Sequence, residues 1–155
     1  MAILFSVILL LFIVFSTCYN MVDRWRFRAD RHYPYVKEVM EEWESVTLRL
    51  LTALGRDIPD IRISGQKHAW TATEAANRLA EACPRPDPEH PVAGPIFARQ
   101  CELAEELELY VAVYNDIAKS HNKTLSRPVV RQMAQLLKWN KWEDLVLHPY
   151  TAIEE

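Results

Sequence analysis

Glycine and cysteine are both scarce, at three residues each in a chain of 155. With so few glycines, and with no stretch of sustained apolar alternation, nothing reads as a β-strand and an all-α fold is expected. Cys18, Cys83 and Cys101 are widely spaced, odd in number and without a C-x-x-C pair, which supports neither a disulfide framework nor a zinc site. Reduced structural thiols are expected. Also missing are H-E-x-x-H, G-x-S-x-G and any glycine-rich phosphate loop, and no histidine has a glutamate three residues before it. The commonest readable metal, nucleophile and nucleotide motifs are therefore absent. No catalytic, cofactor-binding or metal-ligating residue is assigned, and the chain is not expected to be an enzyme. A net charge of −3 gives no electrostatic reason to expect nucleic acid as a partner.

Charge is missing altogether from residues 2–22, which are almost wholly apolar until Asp23. At 1.5 Å per residue a helix there is about 32 Å long, enough to cross a bilayer. Arginines 24, 26, 28 and 31 follow, interleaved with Trp25 and Phe27. Cations and aromatics of this kind suit a lipid–water interface, which Tyr19 also approaches. These arginines dominate the charge asymmetry, so a single-pass protein with its N-terminus outside and its remaining residues in the cytoplasm is expected. A cleaved signal peptide would begin with cations, and the first 20 residues hold no Lys or Arg. Phe15-Ser16-Thr17-Cys18 distantly resembles a lipoprotein lipobox, with Phe and Thr where Leu and a smaller residue are usual. An unmodified Cys18 near the end of the span is the expectation.

The soluble part divides at its prolines and glycines. Residues 1–22 read as the anchor, 23–34 as a basic juxtamembrane segment, 35–142 as one helical bundle and 143–155 as a tail. Tyr33-Pro34 predicts a helix break, because proline lacks a donor and disfavours helical geometry before it. A new helix from Tyr35 would carry Val36, Val39, Met40, Trp43, Val46, Leu50 and Leu54 on one face, with Glu38, Glu41, Glu42 and Glu44 mostly off it, and stop at Gly55. Thr71 and Glu74 have capping-box spacing for a helix to Ala82 with Ala75, Ala76, Leu79 and Ala80 inward. Five prolines between 84 and 95 predict a stiff loop. A long helix from Ile96 to about Leu125 has Phe97, Cys101, Ala104, Leu107, Val111, Tyr114, Ala118, His121 and Leu125 along its seam. Glu102, Glu105, Glu106 and Glu108 fall largely off that seam, as a solvated face would. Ser126 and Pro128 predict the start of a short helix bearing Val129, Val130, Met133, Leu136 and Leu137. The whole reads as an N-terminal transmembrane helix followed by an antiparallel bundle of three to four helices.

Residues 117–142 contain six Lys or Arg and no Asp or Glu, ending in Lys138-Trp139-Asn140-Lys141-Trp142. Lys138, Trp139, Lys141 and Trp142 mark a surface for anionic lipid or an acidic partner, unless the tryptophans belong to the core.

The run Tyr110-Val111-Ala112-Val113-Tyr114-Asn115-Asp116-Ile117-Ala118, followed by His121-Asn122, resembles the bacterial LemA family. Tyr19-Asn20 at the end of the span, Tyr33-Pro34-Tyr35-Val36 after the arginines, and Pro128 with Leu136-Leu137 resemble further pieces in the same order. The chain departs from the pattern in its short distance from Asn20 to Pro34, in His121 for a tyrosine and in Arg127 for a phenylalanine, as a divergent member with a shortened first helix would. The resemblance implies a single-pass membrane protein with a cytoplasmic bundle and carries over no catalytic residue. It marks Tyr114, Asn115 and Asn122 as motif positions, with a packing role expected for them. The functional expectation is a membrane-anchored interaction or scaffold protein with lipid and an unidentified protein as partners. The alternatives are an exported lipoprotein-like domain or an enzyme-subunit domain with a pocket between helices.

Overall fold

A computed structural model describes residues 1–66 and 68–147. Four helices follow in order: α1 (Ala2–Ala53), α2 (Ala69–Ala82), α3 (Ala93–Leu125) and α4 (Pro128–Leu136). No strand occurs among the described residues, and the all-α expectation holds. One helix, at the N-terminus, is long and apolar enough to cross a membrane.

The expected break at Pro34 does not occur. Pro34 lies inside α1, which runs without interruption from the apolar segment to Ala53. Residues 23–34, the basic juxtamembrane segment of the sequence, are a stretch of this helix. Tertiary contacts override the local penalty. On either side of the proline, His32 Nε2 donates to the Tyr110 carbonyl at 2.8 Å, and the Tyr33 and Tyr35 rings pack on Tyr114 and Tyr110. Pro34 itself is exposed, so the helix carbonyl that it leaves without an N–H partner can be satisfied by water.

The described residues form two compact units, and α1 and α3 each contribute to both. One comprises residues 32–114 with 145–147; the other comprises residues 1–31 with 115–144. Length accounts for the division. An α1 of 52 residues is about 78 Å long, whereas α2 reaches only about 21 Å and can cover only part of it.

In the 32–114 unit, Val36, Val39, Met40, Trp43, Val46 and Leu51 of α1 pack with Ala76 and Leu79 of α2 and with Leu103, Leu107 and Val111 of α3. Tyr33 meets Tyr114, and Thr47 meets Gln100, so α1 and α3 run antiparallel. Leu145, placed in the tail by the sequence, is buried in this core. The remaining tail residues, 148–155, lie outside the described residues. The other unit has its own small core of Cys18, Val22, Leu125, Val130, Met133 and Ala134. On α4 only Val130, Met133 and Ala134 are buried, and Val129, Leu136 and Leu137 face outward.

Helix ends follow local chemistry where the backbone demands it. Gly55, at φ +63°, closes α1 in a Schellman arrangement: Arg56 N–H donates to the Leu51 carbonyl at 2.9 Å and Gly55 N–H to Thr52 at 3.0 Å. α2 begins earlier than Thr71. Its N-cap is His68, the Thr71 hydroxyl donates to the His68 carbonyl, and no capping box forms. α3 likewise starts at Ala93, three residues before Ile96, because the His90 ring accepts the Ala93 N–H at 3.0 Å and proline is tolerated in a first turn.

Candidate functional site

The residues marked for the membrane interface and those marked in the basic tryptophan segment are more than a hundred positions apart in sequence, yet they belong to the same unit. α1 brings the first group. Its side chains from 3 to 15 are exposed, and at Cys18 and Val22 one face becomes buried against Leu125, Val130 and Met133. Tyr19, just past that point, stacks on Phe15 and tilts against Trp139 at 5.9 Å between ring centroids. The following turns alternate cation and ring. The Arg28 guanidinium lies 4.8 Å from the Trp25 ring, Arg31 5.7 Å from Phe27, and Arg26 5.8 Å from Trp139. Each such contact is worth about 0.5–1 kcal/mol when exposed. Trp25 is also tied to α3, its indole N–H donating to Thr124 Oγ1 at 3.1 Å. Arg24 is exposed.

The second group is positioned by the end of α4. Lys138 takes a left-handed conformation, φ 53°, and the Trp139 N–H returns to the Ala134 carbonyl at 2.9 Å. The turn directs Trp139 back onto the small core. Lys138 and Lys141 are exposed. Together with Arg131, Gln135 and Trp139 they line an open concavity of about 530 Å³.

Trp142 behaves differently. Its indole stacks on His121 at 3.8 Å and 7°, and its backbone is held by Asn122, whose Nδ2 donates to the Trp142 carbonyl at 2.8 Å while its Oδ1 accepts the Trp142 N–H at 2.9 Å. Trp142 therefore serves packing, and Asn122 acts as a two-point clasp on the C-terminal segment. His121 is buried, and its Nε2 has no hydrogen-bond partner among the described residues. Burial lowers its pKa; the Asn122 side chain opposes that shift and Arg26 adds to it. Of the other motif positions, Tyr114 packs on Tyr33, and Asn115 is half-buried.

Glu44 escaped the sequence reading. It faces inward rather than off the α1 face and is buried, with Oε2 accepting the Ser64 N–H at 2.9 Å. One carboxylate thereby pins the connector between α1 and α2. The available signal was its spacing, four residues after Met40 and seven before Leu51, which puts it on the same buried helix face. Gln100 is also buried and donates to Thr47 Oγ1 at 2.7 Å. Burial raises the thiol pKa of Cys83 and of Cys101, so both stay protonated and poorly nucleophilic at neutral pH. Glu102, Glu105, Glu106 and Glu108 are exposed. Among the described residues, no group of three or more His, Cys, Asp or Glu side chains converges.

No family model, no curated protein and no solved structure matches the chain.

Proposed function

We propose that the chain is a membrane-anchored interaction or scaffold protein of the LemA type, with its N-terminus outside and its bundle in the cytoplasm. One observation carries the reading: the exposed apolar helix of residues 3–15 ends at the collar built by Tyr19, Trp25, Arg26, Phe27, Arg28 and Arg31. An apolar surface of that extent needs lipid, and the collar has the cations and aromatics of an interface. Cys18 supports an intact anchor over a lipoprotein, because it is buried within α1 against α4 and a lipidated thiol would have to leave that packing.

The interaction half of the reading rests on the 32–114 unit. Leu109 and Val113, one helical turn apart, are exposed at 70% and 48%, beside the Tyr35–Tyr110 stack. Apolar residues adjoining on one surface mark a place for a partner.

Two experiments test the halves separately. Alkaline phosphatase fused after Glu155 should be inactive, and a reporter that works only in the cytoplasm should be active at the same place; the opposite pattern overturns the topology. Affinity capture from mild detergent should recover a protein that Leu109→Glu with Val113→Glu no longer recovers. Repeated capture of nothing, together with turnover by the purified chain, would favour the enzyme-subunit alternative.

A further inference from the structure

We propose that the concavity lined by Arg131, Lys138, Lys141 and Trp139 is a headgroup site for an anionic phospholipid, with Leu136 and Leu137 reaching toward its acyl chains. The inference rests on the membrane-anchored reading and adds a ligand to it.

Charge comes first. Three cations face one open concavity of about 530 Å³, and none of their side chains enters an ion pair or hydrogen bond among the described residues. Residues 117–142 hold no carboxylate, and the nearest that follow, Glu143 and Asp144, do not line the concavity. A lipid phosphodiester, with a single negative charge and two free oxygens, matches such a donor set.

Apolar surface then selects a lipid over a free phosphate. Leu136, in the last turn of α4, is 82% exposed, and Leu137 and Val129 are exposed as well. α4 thus has apolar side chains on its outer side although Val130, Met133 and Ala134 already supply its packed face. A helix that is apolar outside and flanked by cations lies in a lipid interface. Its neighbour within the unit is the foot of the anchor, where Cys18, Met21 and Val22 meet α4 and Tyr19 meets Trp139. That is where a bilayer would present its headgroups.

Lys138 supplies an independent indication. The position after a helix that closes with a left-handed residue favours glycine, yet a lysine occupies it here at φ 53°. The conformation is unfavourable for a side-chain-bearing residue, and what the lysine contributes in return is a cation on the wall of the concavity.

The test uses the full chain purified in mild detergent, with lipid retention read by native mass spectrometry. The wild type should retain one phosphatidylglycerol under conditions where phosphatidylcholine is lost. Arg131→Gln with Lys138→Gln and Lys141→Gln should weaken that retention about a hundredfold, at roughly fivefold per cation near anionic lipid. Lys119→Gln with Lys123→Gln, which removes exposed charge outside the concavity, should leave it within about twofold. Lys138→Gly separates binding from folding, since it should melt at a higher temperature and still retain less phosphatidylglycerol. Equal retention of both lipids, an unaffected triple variant, or an equal loss in the Lys119/Lys123 control would overturn the site. Inorganic phosphate that bound as tightly as the lipid would show a free-anion site instead. A chain that stays soluble without detergent and never sediments with membranes would refute the anchor. Loss of the lipid preference in a chain that does sediment refutes the headgroup site alone.

Discussion

At Gly94 a single hydrogen atom decides whether the proline-bearing loop can close onto α3. A Cβ built there would collide with the Pro88 carbonyl oxygen, which belongs to backbone and cannot swing away. Gly94→Ala should therefore destabilise the protein by about 1–3 kcal/mol, the usual cost of overpacking a filled site, seen as a lower melting temperature by circular dichroism in detergent. An unchanged melt would mean that the loop has room to retreat. Asn122 makes the complementary case, in which a side chain does what backbone usually does. Asn122→Ala removes both hydrogen bonds to Trp142 and should cost about 1–3 kcal/mol, with a red shift in tryptophan emission as the indole leaves His121. A stability loss without the spectral shift would show that the stack survives without the clasp.

On the scale of elements, α1 and the segment behind α4 carry two further expectations. Pro34→Ala restores a helix donor at an exposed position of α1. The gain of about 3 kcal/mol in helix propensity is offset by up to about 1 kcal/mol, because alanine frees the unfolded chain, so a net stabilisation of about 2 kcal/mol is expected in thermal melts. A lower melting temperature would mean that the contacts around His32, Tyr33 and Tyr35 depend on the geometry proline imposes.

The stacked His121 makes stability depend on pH. Its pKa in the folded protein is lowered, first by burial, so below the ordinary histidine value of about 6.5 the unfolded chain takes up a proton that the folded chain refuses. Its contribution is complete above that value and is lost as pH falls toward the lowered one. Melts between pH 8 and pH 5 should show this loss, and His121→Phe should shrink it; an equal pH dependence in the variant would assign the effect elsewhere.

These elements also show how far sequence reading reaches. The inward residues Val36, Met40, Trp43 and Leu50, the stop at Gly55 and the start at Pro128 were legible, because helical periodicity and terminal chemistry are local properties. Pro34 was misread because its tolerance depends on Tyr110 and Tyr114, some eighty residues later. Arg26 over Trp139 was invisible for the same reason: each segment could be recognised as basic and aromatic, but only the fold brings them into one unit. Glu44 misled because a carboxylate is ordinarily solvated, although its spacing from Met40 and Leu51 places it on their buried face.

Taken whole, the molecule commits one helix to two tasks, a long exposed apolar rod and a wall of the 32–114 core. Between them lies a change of surroundings: from Cys18 onward the same helix has a covered side, Cys18 and Val22, and an open side, Tyr19 and Asn20. A medium that meets the side chains of residues 3–15 all round can meet these next turns from one direction only, so packing within the protein, and not any change in the backbone, sets within about one helical turn where the rod stops being wrapped and starts being leaned upon.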